Sequence, residues 1–229
     1  MKWQENNMAT FNDVKCFYNF LLKDKRALQY YKERGITPEL IREFKLGYCP
    51  SHKDHWASGR IIIPFFDAYG NFLDFGTRKI TQPGKSGEWK NGNFYYTSIG
   101  RTEKGHHLYN LNKAKAYILN KRYAIITEGY FDVITAWKSG IKNIVATCGT
   151  AFTFTHMCLL SRYCDLFIFA YDGDSSGRAA ALKAELAFKD YIGIVILELP
   201  LGYDLDDYFK NFSVEDFNVL IKEKILSQG

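Results

Sequence analysis

Cysteine is scarce and badly spaced in this 229-residue chain. Its five cysteines, Cys16, Cys49, Cys148, Cys158 and Cys164, are odd in number and form no C-x-x-C pair. Neither a disulfide framework nor a four-cysteine zinc site is therefore expected. The nearest approach to a transition-metal cluster, Cys49 with His52 and His55, has no fourth ligand at zinc-finger spacing and reads as an ordinary loop; no zinc is expected. No apolar run reaches the length needed to cross a bilayer. The opening residues, MKWQENNMATF, contain no apolar h-region, which speaks against a secretory signal. A cytoplasmic protein with no membrane partner is the expectation. Internal repeats and low-complexity tracts are also missing, so no repeat architecture is expected.

What is present is enough for a packed core: 47% of residues are hydrophobic and 17% aromatic, well above the disordered range. The net charge of +5 conceals an asymmetry. Residues 1–122 hold 21 Lys and Arg against 11 Asp and Glu, or +10; residues 123–229 hold 9 against 14, or −5. Such a division suits a polyanion held by one half and cations held by the other, although an uneven solvated surface gives the same count.

The two halves differ in texture. Residues 12–34 predict one or two helices with Phe17, Phe20, Leu21, Leu28 and Tyr31 as apolar positions. A short helix starts at Pro38 with Thr37 as its N-cap, Ile36 stapled onto Ile41, and Gly47 as its closing C′ residue. The runs 59–66 and 72–80, joined by Asp67-Ala68-Tyr69-Gly70-Asn71, predict a hairpin. Residues 81–107 read as a mobile or substrate-facing loop. From Tyr123 onward, strands over 124–127, 143–147, 166–171 and 194–199 alternate with helices over 130–139, 153–163, 176–190 and 213–226, and Ser213 with Asp216 forms a capping box. Unalternating apolar strands between helices predict a parallel sheet covered on both faces, an α/β domain over 121–229 behind a smaller mixed α+β basic subdomain over 1–120.

The chemistry gathers where strands end. Ligands in open α/β sheets sit at the C-terminal edge. Glu128-Gly129 follows the first strand of the second half, with Asp132 one helical turn on; Asp172-Gly173-Asp174 follows the third; Asp204, Asp206 and Asp207 follow the fourth. Carboxylates crowded from three loops repel one another unless a cation compensates them. A hard all-oxygen set suits Mg²⁺ or Mn²⁺, and two such ions are the usual arrangement for phosphoryl transfer. Gly129 and Gly173 would let backbone and phosphate approach closely. Arg178 could orient Asp174 or meet a phosphate. The bland alternative is that these acids only cap helices, as Asp174, Ser175 and Asp206 could.

Several stretches resemble one family. Thr127-Glu128-Gly129-Tyr130-Phe131-Asp132-Val133 is similar to the EGYxDV motif of DnaG-like primases, and Tyr171-Asp172-Gly173-Asp174-Ser175-Ser176-Gly177-Arg178-Ala179-Ala180 to their YDGDxAGxxAA motif. Gly149-Thr150 resembles the LGT turn, and Gly202-Tyr203-Asp204-Leu205-Asp206 the GxDPD motif; together these form the TOPRIM signature. Upstream, Tyr31-Lys32-Glu33-Arg34-Gly35-Ile36, Gly59 to Phe65, Phe75-Gly76-Thr77-Arg78, and Lys104-Gly105 with Leu108-Tyr109-Asn110-Leu111 resemble the segments of the family's basic subdomain. The resemblance runs from about residue 28 to 210.

It implies catalytic and metal roles for Glu128, Asp172 and Asp174. Asp132, Asp204 and Asp206 would complete the acidic cluster, and Arg60, Arg78 and Lys104 would hold template or nucleotide phosphates, beside the Arg178 already placed there by its position. The implied activity is template-directed synthesis of RNA primers on single-stranded DNA from ribonucleoside triphosphates, by two-metal nucleotidyl transfer. A replicative helicase or a separate zinc-binding module would be a further partner. Three departures stand out. The family's lysine before a substrate-loop tyrosine is replaced near Asn93-Phe94-Tyr95, where Lys90 is the substitute; Leu205 stands for the proline of the third acidic motif; and no zinc-binding or helicase-binding domain accompanies the core. A TOPRIM nuclease using the same acids, and a non-catalytic single-strand-binding replication factor, are the rival readings.

Overall fold

Helix breaks in the first half fall where side chains can cap them. The computed structural model describes residues 10–51, 57–80, 94–96, 104–149 and 151–227. The predicted helical region splits in two, α1 (Phe11–Leu21) and α2 (Lys25–Glu33), because Asp24 caps the second by accepting the Ala27 N–H at 2.9 Å. Helix α3 (Pro38–Glu43) begins as expected, with Thr37 accepting from the Leu40 N–H and Pro38 in its first turn. Its end corrects the expectation: Lys45 takes the left-handed backbone (φ 53°), while Gly47 opens strand β1 (Gly47–Cys49). Glycine is required there for closeness, since a Cβ would lie 2.7 Å from the Phe17 Cβ.

Strands β2 (Arg60–Phe66) and β3 (Phe72–Lys79) are the predicted hairpin. Its turn is tied by the Tyr69 N–H to Asp67 Oδ1 at 2.8 Å, with Gly70 at φ 91°. With β4 (Phe94–Tyr96) they form an antiparallel sheet ordered β1-β2-β3-β4. Strands β1 and β4 lie outside the predicted set, being three residues each, too short to show a period.

The second half is the predicted α/β layer structure. Strands β5 (Tyr123–Thr127), β6 (Ile144–Ala146), β7 (Leu166–Phe169) and β8 (Gly193–Ile196) are all parallel, in the order β6-β5-β7-β8. The helices are α4 (Leu111–Lys121), α5 (Tyr130–Lys138), α6 (Phe154–Leu160), α7 (Ser175–Phe188), α8 (Leu205–Asn211) and α9 (Val214–Leu226). Ala124, Ile126, Phe167 and Phe169 share one core with residues of α4, α6 and α7. Ile125 and Ile168, paired in register and fully buried, point the other way, toward the side on which α5 and α9 pack. Both faces of the central strands are thus dry, which is why their sequences do not alternate. Ser213 and Asp216 cap α9 reciprocally. Helices α4 and α8 were not predicted.

Two compact units result, one drawn from residues 1–66 and 71–102, the other from 67–70 and 103–229. In the second, Leu108–Leu111 is bound to the free edge of β6. Tyr109 pairs with Ala146 through two backbone bonds, and the Asn110 Nδ2 donates to the Ile144 carbonyl at 2.9 Å. A short 3-10 turn, Lys104–His106, precedes it. It is clamped by the buried His156, whose Nε2 lies 3.0 Å from the His107 carbonyl oxygen, and by the Thr153 hydroxyl donating to the Gly105 carbonyl at 2.5 Å. No helix among the described residues is long and apolar enough to cross a membrane.

Candidate metal centre at the edge of the parallel sheet

Glu128 and Asp172 leave the C-terminal ends of β5 and β7, the two neighbouring central strands. Parallel pairing sends both chains out on the same edge. The Asp172 N–H donates to Glu128 Oε1 at 3.3 Å. Small residues permit this crowding. A Cβ on Gly177 would stand 2.9 Å from Glu128 Oε1, and one on Gly173 would overlap the Pro200 carbonyl oxygen. The Gly173 N–H in turn donates to the Tyr203 carbonyl at 2.7 Å, which draws the loop carrying Asp204 onto the loop carrying Asp172.

The acids divide their oxygens between capping and the site. Asp132 is buried in the first turn of α5; its Oδ2 accepts the Gly129 N–H at 2.9 Å and the Thr127 hydroxyl at 3.2 Å. Asp174 caps α7 through the Gly177 N–H at 2.8 Å, and Asp204 caps α8 through the Asp207 N–H at 2.6 Å. Capping and clustering are therefore not alternatives here, since each cap uses one oxygen and leaves the other. Asp204, Asp206 and Asp207 each offer a carboxylate oxygen within 4.8 Å of the others.

The carboxyls of these loops act on one another. The Asp172 carboxyl is pushed up to about 7, first by burial and then by the charges of Glu128, Asp204, Asp174 and Asp207. Glu128 is raised by burial and by Asp174, with the Asp172 N–H acting against them. Asp132 lies well above the usual carboxylate range through burial and then Asp204 and Asp172. Asp204 is also raised, chiefly by burial. Carboxylates from three loops thus feel one another in a partly dry place, as excess like charge without a counter-ion must.

The basic residues are more scattered than their motifs suggest. Arg60 pairs with Lys79 and Arg78 with Ile61. Arg60 and Ile61 are adjacent on one strand, so the two arginines sit on opposite faces of the antiparallel sheet. Arg60 is half-buried, while Arg78 is only 8% exposed. Arg178 is exposed and shares a small cleft with Asp172 and Glu198. Lys104 opens the 3-10 turn. Lys90, His52, His55 and Thr150 lie outside the described residues. Sequence reasoning missed Thr135 and Lys210, which both bond to Asp206. The spacing Asp206 to Lys210 is an i,i+4 pair and was a usable signal once α8 was recognised; nothing local pointed to Thr135.

Comparison with known proteins agrees with this fold. A Toprim-like family model matches residues 125–209. The DNA primase of Aquifex aeolicus is 33% identical over 88% of this chain and 45% of its own length, and that of Lactococcus lactis 32% identical over 92% and 38%. The crystal structure of the Aquifex aeolicus primase zinc-binding and RNA polymerase domains superposes with a TM-score of 0.79 at 29% identity, over 97% of this chain and 63% of that one. The chain carries a Toprim-like domain, and over most of its length it is similar to the DnaG-like primase cores. The solved DnaG catalytic core matches its fold with a TM-score of 0.81 at 24% identity, over 93% of this chain and 77% of that one. The chain spans less than half the length of these two curated relatives.

Proposed function

We propose that this DnaG-like core joins ribonucleotides into short RNA primers on a single-stranded DNA template. The observation that carries the reading is the meeting of Glu128 and Asp172 at the ends of adjacent parallel strands, 3.3 Å from carboxylate to backbone amide, beside an Asp172 carboxyl raised to about 7. A site made only of carboxylates whose charges raise one another fits a hard divalent ion, Mg²⁺ or Mn²⁺, and two such ions fit the number of acids. Glu128, Asp172 and Asp174 would hold them, with Asp132 and the Asp204 loop completing the negative wall. When bound, the ions supply charge neutralisation for the attacking and leaving oxygens.

The protein's own residues hold and orient the reactants. Gly173 and Gly177 let the backbone of the neighbouring loops and the Glu128 carboxylate pack closely around Asp172, which would keep the acids together at the sheet edge. Arg178, exposed beside Asp172, would bind the phosphates of a nucleoside triphosphate. The basic region over residues 1–120, with Arg60 and Lys90, would track the template backbone together with Lys104, mainly through phosphate contacts and with strong salt dependence, whereas Arg78, 8% exposed on the other face of the sheet, would support the strand that carries this surface. A replicative helicase or a zinc-binding module would supply recruitment and start-site choice.

Incubation with single-stranded DNA, four ribonucleoside triphosphates and Mn²⁺ should yield short RNA products, and Asp172→Asn should yield none. Nicking of DNA without nucleotides would identify a nuclease instead. Tight single-strand binding with no synthesis would identify a binding factor.

A further inference from the structure

One lysine of the protein itself stands against the acids of the third loop. Asp206 is only 7% exposed, yet both of its oxygens are engaged. Oδ1 accepts the Thr135 hydroxyl of α5 at 2.7 Å, and Oδ2 meets the Lys210 ammonium at 2.8 Å. The same ammonium reaches Asp207 Oδ1 at 3.2 Å. Asp204, for its part, spends Oδ1 on the Asp207 N–H. Thr135 bonds to Asp206 across 71 residues of sequence, so this carboxylate joins α8 to α5 and sets where the start of α8 stands.

From this geometry we infer that Lys210 is the resident counter-cation of the Asp204–Asp206–Asp207 arm, and that Asp206 is a positioning residue and not a metal ligand. The inference rests on the metal reading of the preceding subsection and narrows it. Divalent ions would be held by Glu128, Asp172, Asp174 and the free side of Asp204, not by all the acids alike. Two physical arguments favour this division. Ligation by Asp206 would break two hydrogen bonds to a nearly buried carboxylate, one of them charge-assisted, and would leave the Thr135 hydroxyl without that acceptor. An ammonium between Asp206 and Asp207 also repels a dication brought to the same two oxygens. Lys210 is half exposed and can swing away. It therefore sets how many ions this arm takes, because its charge is the ammonium that stands against three carboxylates whose oxygens lie within 4.8 Å of one another.

The test is a Mn²⁺ titration of the intact chain without nucleotide, followed by calorimetry and by the spin-resonance signal of free Mn²⁺. Asp172→Asn should lose about a hundredfold or more in affinity, at or beyond the upper end of what outer-shell changes cost. Asp206→Asn, which keeps an acceptor for Thr135, should lose about tenfold or less. Lys210→Met should bind at least one further equivalent of Mn²⁺, and Lys210→Arg should reproduce the wild-type isotherm, because the charge and not the chain is what matters. Melting in chelator reports folding. If Asp206→Asn does not fold, Thr135→Val replaces it, with unchanged Mn²⁺ affinity and a lower melting temperature expected. The inference is overturned if Asp206→Asn loses as much affinity as Asp172→Asn, or if Lys210→Met titrates like the wild type. If Asp172→Asn also titrates like the wild type, the metal reading itself has failed and this inference with it, an outcome the Asp172 variant makes recognisable.

Discussion

The backbone N–H of Asp172 donates to the side chain of Glu128 across 3.3 Å, tying the exit of β7 to the exit of β5. The bond holds one carboxylate beside another that burial and neighbouring charges have already raised. The cost of that proximity is electrostatic and depends on pH.

Asp172→Asn should expose this cost. The folded-state carboxyl stands at about 7, above its ordinary value of 3.8. Its stabilising contribution is therefore fully present below about pH 4 and is lost as pH rises through 7. In chelator, the melting temperature of Asp172→Asn minus that of the wild type should grow between pH 5 and pH 8. After discounting for solvent screening of a half-buried group, the difference is on the order of 1–2 kcal/mol, or several degrees. Mn²⁺ should shrink or reverse it, because the ion stabilises the wild type more. A pH-independent difference would remove Asp172 from the cluster.

Gly173→Ala should damage the site through the backbone. The new Cβ meets the Pro200 and Leu199 carbonyl oxygens, so the loop leading to Asp204 must move. A loss of about 2–4 kcal/mol in denaturant unfolding is expected, together with a smaller Mn²⁺-induced rise in melting temperature. Wild-type stability with an unchanged metal response would contradict the close packing of these two loops.

The two hairpin arginines should behave differently. Arg60→Glu should weaken single-stranded DNA binding and reduce the salt slope by about 1–2, with the fold retained. Arg78, buried on the opposite face, should show its effect in stability, with Arg78→Ala losing about 1–3 kcal/mol and more than Arg60→Ala. Fluorescence anisotropy across salt concentrations, alongside thermal unfolding, separates them. Identical behaviour in both assays would mean that the strand register misleads.

His156→Ala should loosen the turn before α4. The ring is buried and meets the His107 carbonyl, so its loss should cost about 1–3 kcal/mol. Amide hydrogen exchange of Leu108 and Tyr109 should quicken while that of β7 does not. Unchanged protection of those two amides would show that Thr153 alone holds the turn.

Much of this was legible in the chain itself because it is local. Apolar runs such as Tyr123–Thr127 and Leu166–Phe169 do not alternate, and only strands buried on both faces read that way. Glu128 and Asp172 follow these strands closely, so both acids leave on one sheet edge, since parallel strands share a direction. The caps at Thr37 and Ser213 followed from spacing alone. Tertiary structure decided the rest. Which face Arg60 and Arg78 take depends on hairpin register, and a single-residue slip reverses it. That Thr135 occupies one oxygen of Asp206 depends on how α5 packs on α8, since the two residues stand 71 positions apart, whereas Lys210 lies one turn further along α8 itself. Spacing can place a carboxylate at the end of a strand, but only packing determines which neighbours reach its oxygens.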